Sequence, residues 1–480
     1  MQVHDKYIIY NPTVQTASAA PKSEPVKLTP SAWQKETLGA LELFDEKKTK
    51  FSPLTDSGSK QGEKTGREAP AAESPAASGG GEAQTVENSQ AKEIINAPNG
   101  NEVLKPGFVL KNDQHPHIHN KKLQDGNNPQ PLIEGAPNFR KVKDENTYGV
   151  GQPTVDGMKA VLKEAGAAPG CEPQKKAVWV NLREEPVVYI NGKPHNLRQD
   201  GDKTIFKNFE NPGATKEDVE AMEKKMKAEI LEEAKKNGGK MLVADETPDG
   251  KVVYKWEKVD ENSVKTVGEV YDDLKKEGYN VEYDRVPITD EKKPEPKDFE
   301  SLTDRLKGVD KDTPVIFNCH AGRGRTTTGT VVASIIRKNQ NEEASGKFTK
   351  NQGIKDDIRE QGNYSRTEYR KIFNFINLIQ KNPASKDEVD KLIDKNSDMQ
   401  NLRDVIKTEK EKAGGYSGKA QDYLERYHSL ISYDAYVKAE GPGFSKSYTQ
   451  WSSEHPEINQ QIETIRTAMH FPGNLTTAAA

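Results

Sequence analysis

Residues 314–338 read PVIFNCHAGRGRTTTGTVVASIIRK, and this stretch decides the fold. Its first part, PVIFN, is short and apolar, which predicts a buried strand. The last part, from Thr326 to Lys338, has apolar residues at helical spacing and predicts a helix. Because only the seven residues CHAGRGR separate the two, the chain must turn sharply between them. In such a turn the backbone N–H groups and the helix N-terminus converge on one point and form a cradle for an anion.

The side chains of this turn suit the binding and cleavage of a phosphate ester. Gly322 and Gly324 permit the close backbone approach and the positive φ angles that the cradle needs. Cys319 lies at the mouth of the positive field, which favours its thiolate form. Arg325 offers a planar fork that matches two phosphate oxygens, and Thr326 is placed to donate a hydrogen bond to the thiolate. Because a merely structural cysteine would leave the arginines of the turn unexplained, we predict a cysteine nucleophile and an arginine phosphate clamp here.

The motif CHAGRGRTTTG, residues 319–329, resembles the signature loop of the protein-tyrosine-phosphatase superfamily. The threonine run and the Gly-x-Gly-Arg form are similar to the branch of the cysteine phytases, which are inositol polyphosphate phosphatases, and the paladin-like proteins. Segments 136–162, 178–198 and 283–294 are similar to the same branch, so that the resemblance spans about residue 105 to 470. Most members carry His before the nucleophile, whereas this chain has Asn318. The resemblance implies a phosphocysteine intermediate and a phosphate cradle formed by His320, Ala321, Gly322, Arg323, Gly324 and Thr326.

A general acid is implied by the same resemblance. In YDRVPITDEKKP, residues 283–294, Asp290 matches the residue that protonates the leaving oxygen and then, as carboxylate, activates water against the phosphocysteine. The residues alone leave a second interpretation open, because Thr289-Asp290 followed by lysine and proline also makes a good turn.

Three cations near these motifs are candidate substrate contacts. Arg183 follows the apolar strand VWVNL, and the ends of such strands are where ligands of open α/β sheets gather. It could instead pair with Glu184 or Glu185. Lys292 and Lys293 either contact a multiply phosphorylated substrate or are solvated surface lysines.

The alternation of strands and helices beyond about residue 105 predicts an α/β fold, with a mostly parallel central sheet flanked by helices. Two hairpins are predicted, one turning at Asn191-Gly192 and one at Asp249-Gly250. We expect a mostly disordered region over 1–105, a phosphatase core over 106–382 and a helical C-terminal subdomain over 383–470 packed on the core. A short helix near residues 31–44 either docks on a partner or is only marginally stable.

Composition excludes several classes of partner. The 480 residues include 71 basic and 75 acidic side chains, so the net charge of -4 gives no global field for nucleic acid. No stretch approaches the roughly 20 apolar residues of a membrane span.

Cys171 and Cys319 are too few for a disulfide framework and indicate a reducing compartment such as the cytoplasm. The alternating His115, His117 and His119 could suggest a metal, but the proposed chemistry needs neither a metal nor a cofactor.

The sequence therefore predicts a cysteine-dependent phosphatase of inositol polyphosphates. Two alternatives stay open: a protein-tyrosine or dual-specificity phosphatase acting on phosphoproteins, and a catalytically weak scaffold that binds phosphorylated ligands. The long N-terminal region before a phosphatase of eukaryotic type also suits a bacterial effector exported into a host cell. This last hypothesis rests on that layout alone.

Overall fold

The computed structural model describes residues 84–120, 122–125, 128–200, 207–208, 212–345, 383–413 and 418–455, all within one compact unit. The predicted short helix near residues 31–44 lies outside these ranges. Among the helices that are described, none is long and apolar enough to cross a membrane.

The described chain alternates strands and helices. The strands are β1 Gln84–Val86, β2 Phe108–Asn112, β3 Arg140–Lys141, β4 Thr147–Val150, β5 Ala177–Arg183, β6 Val187–Ile190, β7 Lys193–Gln199, β8 Lys207–Asn208, β9 Lys240–Glu246, β10 Val252–Lys258, β11 Val264–Thr266, β12 Val281–Ile288 and β13 Val315–Asn318. The helices are α1 Asn88–Asn96, α2 Lys122–Asp125, α3 Val155–Glu164, α4 Lys216–Lys236, α5 Val267–Lys276, α6 Pro296–Leu306, α7 Gly324–Ala344, α8 Pro383–Lys395, α9 Leu402–Ala413, α10 Lys419–Glu440 and α11 Tyr448–Glu454.

A five-stranded sheet forms the centre, in the order β12-β5-β13-β4-β3. All of its pairings are parallel except that of β3 with β4. Strands β5 and β13 are buried along their whole length, as expected for central strands covered on both faces. Helices α3 and α5 pack on the apolar cluster around Trp179 and Ile316, and α6 and α7 contact β12 and β13. The predicted mostly parallel central sheet is confirmed.

A second sheet has eight strands, in the order β1-β10-β9-β2-β7-β6-β11 with β8 beside β7. Both predicted hairpins lie in it. The turn at Asn191 and Gly192 has positive φ at both residues, 51° and 76°, which suits the two-residue hairpin. The long helix α4, capped by Thr215, buries Met226 and Ile230 against this sheet. The sequence predicted the hairpins but not that they join into one sheet.

Of the connections between the two sheets in the described chain, the one from β5 to β6 is the shortest. Strand β5 belongs to the central sheet and β6 to the second, with only Glu184, Glu185 and Pro186 between them. The carboxyl end of β5 therefore lies directly beside the second sheet.

The two ends of the described chain extend this core. Strand β1 pairs with β10, and α1 packs beside it, so that regular structure is present within the region assigned to 1–105. The helical C-terminal region is confirmed: α10 packs on α7, α8 and α9, and aromatic side chains of α6, α10 and α11 stack together. The division of the chain at residues 105 and 382 stays a prediction.

Candidate active site

The loop from Cys319 to Arg323 connects the central strand β13 to helix α7. Because β13 lies between two parallel neighbours, its carboxyl end opens at the edge where open α/β sheets bind their ligands. Cys319 is buried at that edge, with 4% of its surface exposed. The predicted strand, loop and helix are all present, and the helix begins two residues before Thr326.

The backbone of the loop is held from behind. The carbonyl oxygens of residues 320, 321 and 322 accept, in that order, from the backbone N–H of Gln152, the amide of Asn138 and the guanidinium of Arg140, each at 2.7 Å. The backbone N–H groups of residues 320–323 donate to no protein acceptor within the described part of the chain. Consecutive carbonyls that turn toward the scaffold leave the N–H groups for a bound anion, which is the arrangement of an anion cradle.

Glycine is needed in this loop for two different reasons. Gly322 has φ +69°, and a Cβ there would lie 2.5 Å from the backbone nitrogen of Gly151 and 2.6 Å from the carbonyl carbon of Val150. Gly324 is the first residue of α7, and a Cβ there would lie 2.9 Å from Nη1 of Arg426. The predicted positive φ is confirmed at Gly322, whereas Gly324 provides space for an arginine from another helix.

Within the described part of the chain, the sulfur of Cys319 has one hydroxyl partner. Thr326 Oγ1 lies 3.1 Å from Sγ, as its place in the motif predicted. Behind the nucleophile, the amide oxygen of Asn318 accepts from Trp179 Nε1 at 2.9 Å, and its amide nitrogen lies 3.2 Å from Gln152 Oε1. Asn318 thus fixes the end of the strand that carries the cysteine.

Arg325 is almost fully buried and is held as a flat fork. Its Nη1 lies 2.7 Å from Oε2 of Glu185 and its Nη2 lies 3.0 Å from Oε1, and Nη1 also donates to the carbonyl oxygen of Ile288 at 3.0 Å. Burial would raise the pKa of Glu185, but the charges of Arg325 and Arg183 outweigh it and lower that pKa to about 2. Glu185 is therefore a carboxylate that aligns the guanidinium in advance.

Asp290 reaches the same guanidinium from the other side. Its Oδ1 lies 3.1 Å from Arg325 Nε, and nearly half of its side chain, 46%, is exposed. It stands in the loop that follows β12, at the mouth of the cradle. The structure therefore brings the predicted nucleophile, clamp and acid to one place.

Arg183 lies in a buried ion pair. Its side chain is fully buried, with Nη1 at 2.5 Å from Asp113 Oδ2 and Nε at 3.6 Å from Glu185 Oε2. The same Asp113 lies 3.2 Å from Nε2 of His320, the residue after the nucleophile. Of the two interpretations of Arg183, pairing with a carboxylate is the one that this arrangement supports, because Nη1 already lies at ion-pair distance from Asp113.

The remaining predicted cations lie at the rim. Lys292 pairs with Asp422 at 3.0 Å and Lys293 with Glu295 at 3.1 Å, so each already has a carboxylate partner. Arg323 is exposed beside a cavity of about 640 Å³. The described residues contain no group of three His, Cys, Asp or Glu side chains that could hold a metal ion.

Sequence reasoning missed two arginines of this site. Arg198, on β7, is 91% buried, and no carboxylate within the described ranges lies within 4 Å of it, although its charge acts on Asp113 and Asp290. Arg426, on α10, is 98% buried against the loop of the acid. The sequence signal for Arg426 is a charged residue at helical spacing from aromatic and apolar ones, whereas the polar residues two positions either side of Arg198 give no such signal.

Comparison with known proteins finds similarity to the PTP-like phytase family and to paladins. Residues 180–337 match the sequence model of the PTP-like phytase family, whose description is inositol hexakisphosphate. Paladin of Gallus gallus is 27% identical over 361 residues, which cover 70% of this chain and 38% of paladin. Paladin of Homo sapiens is 25% identical over 66% of this chain and 35% of its own length. The chain thus spans well under half of these relatives. The resemblance to the phytase and paladin branch of the superfamily is confirmed.

Two further likenesses are partial. The effector protein hopD2 of Pseudomonas syringae pv. tomato is 26% identical over 199 residues, 41% of this chain and 38% of its own. Among solved structures, the PTP-like myo-inositol phosphatase of Mitsuokella multacida in complex with myo-inositol-(1,3,4,5)-tetrakisphosphate is 17% identical with a TM-score of 0.47, covering 73% of this chain and 48% of that one.

Proposed function

We propose that this chain is a cysteine-dependent phosphatase that hydrolyses phosphate monoesters of inositol polyphosphates through a phosphocysteine intermediate. The observation that carries the proposal is the convergence at one loop: the sulfur of Cys319 at an anion cradle, Arg325 held flat by Glu185, and Asp290 3.1 Å from that arginine. Each of these groups has the chemistry of one step of phosphate transfer.

In the first step the thiolate of Cys319 attacks phosphorus and the bond from phosphorus to the ester oxygen breaks. Asp290 gives its proton to that oxygen, which leaves as an alcohol. The N–H groups of the loop and the fork of Arg325 bind the three other oxygens, where negative charge spreads in the transition state.

In the second step a water molecule attacks phosphorus and the bond from phosphorus to sulfur breaks. The carboxylate of Asp290 takes a proton from the water, and phosphate and a thiolate result. The hydroxyl of Thr326, 3.1 Å from Sγ, stabilises the departing sulfur. Cys319, Asp290 and Thr326 are then ready for another cycle.

The choice of inositol polyphosphates rests on arginines that a single phosphate does not need. One phosphate fills the cradle and uses Arg325. Arg198 has a buried guanidinium without a carboxylate partner in the described chain, and Arg323 stands exposed at the rim of the loop. Neighbouring phosphates of a polyphosphate would supply the missing anions. The family model that matches this region carries the description inositol hexakisphosphate.

A phosphotyrosine substrate is the second candidate. The ring of Tyr423 lies against the guanidinium of Arg426 at 5.2 Å and lines the cavity beside Arg323. An aromatic wall next to the cradle is what a phosphotyrosine ring would pack on. A catalytically weak scaffold, the third candidate, requires that the assembled site turn over slowly or not at all.

The compartment follows as a further part of the proposal. Cys171 and Cys319 are both free, and a thiolate nucleophile needs a reducing medium, so we place the working enzyme in cytoplasm. The likeness to hopD2 supports delivery into a host cell. A reporter fused to residues 1–100 tests this: secretion by a candidate bacterium supports export, and retention removes the support.

Phosphate release tests the main proposal. Inositol hexakisphosphate and a phosphotyrosine peptide are assayed side by side with the wild type, Cys319→Ser and Asp290→Asn. Fast release from the inositol compound that Cys319→Ser abolishes is the expected result. Release from the peptide alone would favour the tyrosine phosphatase, and no release from either, with a folded protein, would favour the scaffold.

A further inference from the structure

Helix α10 lies along the loop that carries Asp290 and makes three contacts with it. Arg426 donates to the carbonyl oxygen of Lys292 from Nη2 at 2.7 Å and from Nε at 3.2 Å. Asp422 pairs with the ammonium of Lys292 at 3.0 Å, and Lys419 pairs with Glu291 at 2.6 Å. Positions 419, 422 and 426 fall on one face of the helix, so a single helix face covers the acid loop.

The three contacts differ in strength. In each of the two ion pairs the lysine is more than half exposed, 56% in both, and water and salt screen such pairs. Arg426 is only 2% exposed, and charged hydrogen bonds in a buried setting are much stronger. Of the three contacts from α10, the hydrogen bonds of Arg426 are therefore the strongest.

The backbone of the acid loop needs such support. Glu291, between Asp290 and Lys292, has φ +61°, a left-handed conformation that side chains other than glycine rarely adopt. A residue in such a conformation persists only where its surroundings hold it. The hydrogen bonds of Arg426 act on the very next residue, at the carbonyl of Lys292.

The same guanidinium also touches the phosphate cradle. A Cβ on Gly324 would lie 2.9 Å from Nη1 of Arg426, so the arginine packs on the first turn of α7, one residue from Arg325. One side chain thus contacts both the acid loop and the cradle.

We propose that Arg426 is a positioning residue that holds the acid loop, residues 289–293, over the phosphate cradle, so that Asp290 meets the leaving oxygen. The inference rests on the proposed function of Asp290 as general acid. Arg426 acts through Lys292 and not on the reacting atoms, and its loss should impair proton transfer to the leaving group while phosphate binding and thiolate attack continue.

Leaving groups of different basicity test this. Arg426→Met is compared with the wild type on inositol hexakisphosphate, whose alkyl oxygen needs a proton, and on para-nitrophenyl phosphate, whose leaving group hardly does. We expect kcat/KM on the alkyl substrate to fall by about 100-fold and that on the aryl substrate by no more than about threefold. This constant covers only the steps up to departure of the alcohol or phenol, and a general acid is needed only for the alkyl leaving group. Arg426→Lys, which keeps a single charged donor, should recover part of the loss.

Two controls separate positioning from a general structural effect. In an Asp290→Asn background, Arg426→Met should cost nothing further on the alkyl substrate, since the acid is already absent. Arg403→Met removes an arginine that pairs with Asp394 on the neighbouring helices and should leave the ratio of the two rates unchanged. Equal losses on both substrates, or an added loss in the Asp290→Asn background, would overturn the inference.

Hydrogen exchange gives a measurement that does not depend on turnover. Amide exchange over residues 289–293 should be about tenfold faster in Arg426→Met than in the wild type, because the held loop is released. Unchanged exchange there would refute the positioning role. If the wild type hydrolyses neither substrate, the proposed function is refuted instead. The exchange result would still decide whether Arg426 holds the loop.

Discussion

The carboxylate of Glu185 meets the guanidinium of Arg325 edge to edge, with nitrogen to oxygen distances of 2.7 and 3.0 Å. Both side chains are almost fully buried. The guanidinium of Arg325 is therefore held in one plane before any phosphate binds. An arginine aligned in advance loses little entropy when it binds the transition state.

We predict that Glu185→Gln loosens this fork. Arg325 would keep one hydrogen bond and lose its paired charge, so kcat/KM should fall by about 100-fold. The free energy of unfolding should fall by about 3 kcal/mol, because a buried charge loses its partner. Steady-state kinetics and urea unfolding measure the two effects. Glu277→Gln, which removes an exposed partner of Lys159, should cost under about 1 kcal/mol and leave kinetics intact. Activity of Glu185→Gln close to the wild type would contradict the clamp.

Gly322→Ala should destroy the cradle through sterics. Its Cβ would lie 2.5 Å from a backbone nitrogen that cannot move freely, so the loop must shift and phosphate release should fall by at least about 100-fold. Gly250→Ala is a matched control. Gly250 also has positive φ, +80°, but the nearest atom to its added Cβ is 3.9 Å away. This control should lose about 1 kcal/mol of stability, as left-handed backbone costs any side chain, and no activity. Similar kinetics for both variants would show that close approach is not what the loop requires.

Thr326→Val removes the hydroxyl beside the nucleophile while it keeps the volume of the side chain. The thiolate of Cys319 then loses a hydrogen bond, and bonds to charged groups contribute roughly 1.5 to 3 kcal/mol. We expect alkylation of Cys319 by iodoacetamide near neutral pH to slow by about tenfold or more. Thr326→Ser keeps the hydroxyl and should alkylate at nearly the wild-type rate. Equal rates for both variants would exclude a role for the hydroxyl.

Arg198→Gln tests whether the second sheet binds part of the substrate. Loss of a charged contact to a further phosphate should raise KM for inositol hexakisphosphate by about tenfold, with a much smaller change for a monophosphate. Arg305→Gln removes an arginine that pairs with Glu282 away from the loop and should change neither value. A uniform change in KM on both substrates would mean that Arg198 does not discriminate between them.

The burial of His195 predicts that the folded protein loses stability in mild acid. Burial lowers the pKa of this histidine from its ordinary 6.5 to about 4, against the opposing hydrogen bond to the carbonyl of Lys193. The stability that the neutral ring provides is complete above pH 6.5 and is lost as the pH falls toward 4. The unfolding free energy should therefore drop by about 2 kcal/mol from this group between about pH 7.5 and 5. In His195→Asn the side-chain amide can replace the ring N–H but does not titrate. When urea unfolding is measured at the same two pH values, the variant should therefore lack this part of the drop in unfolding free energy. An equal drop in both proteins would assign the effect to other groups.

What could be predicted from the sequence was local. The strand, turn and helix around Cys319 follow from neighbouring residues, and so do both hairpins and the cap of α4 at Thr215. The joining of the hairpins into one sheet depends on pairings such as that of Phe108 with Gln199, distant in sequence, which no local pattern specifies.

The arginines show the same limit in the site. Arg183 stands at the end of a central strand, as the substrate-contact interpretation assumed, but Asp113, 70 residues away in sequence, turns it into a buried ion pair. Arg198 and Arg426 come from elements that the sequence placed outside the loop. Their roles depend on how three parts of the chain pack, which a linear pattern does not contain.

The crossing between β5 and β6 constrains how this protein can be changed. The crossing has three residues, with Glu185 in the middle. So short a connection leaves little freedom in the distance between the end of β5 and the start of β6. If the eight-stranded sheet were exchanged for that of a relative, Glu185, the partner of Arg325, would have to be exchanged with it. A spacer inserted at residues 184–186 would leave both sheets intact and misalign the fork. In protein engineering the second sheet and the candidate active site would therefore have to be exchanged together, not as separate modules.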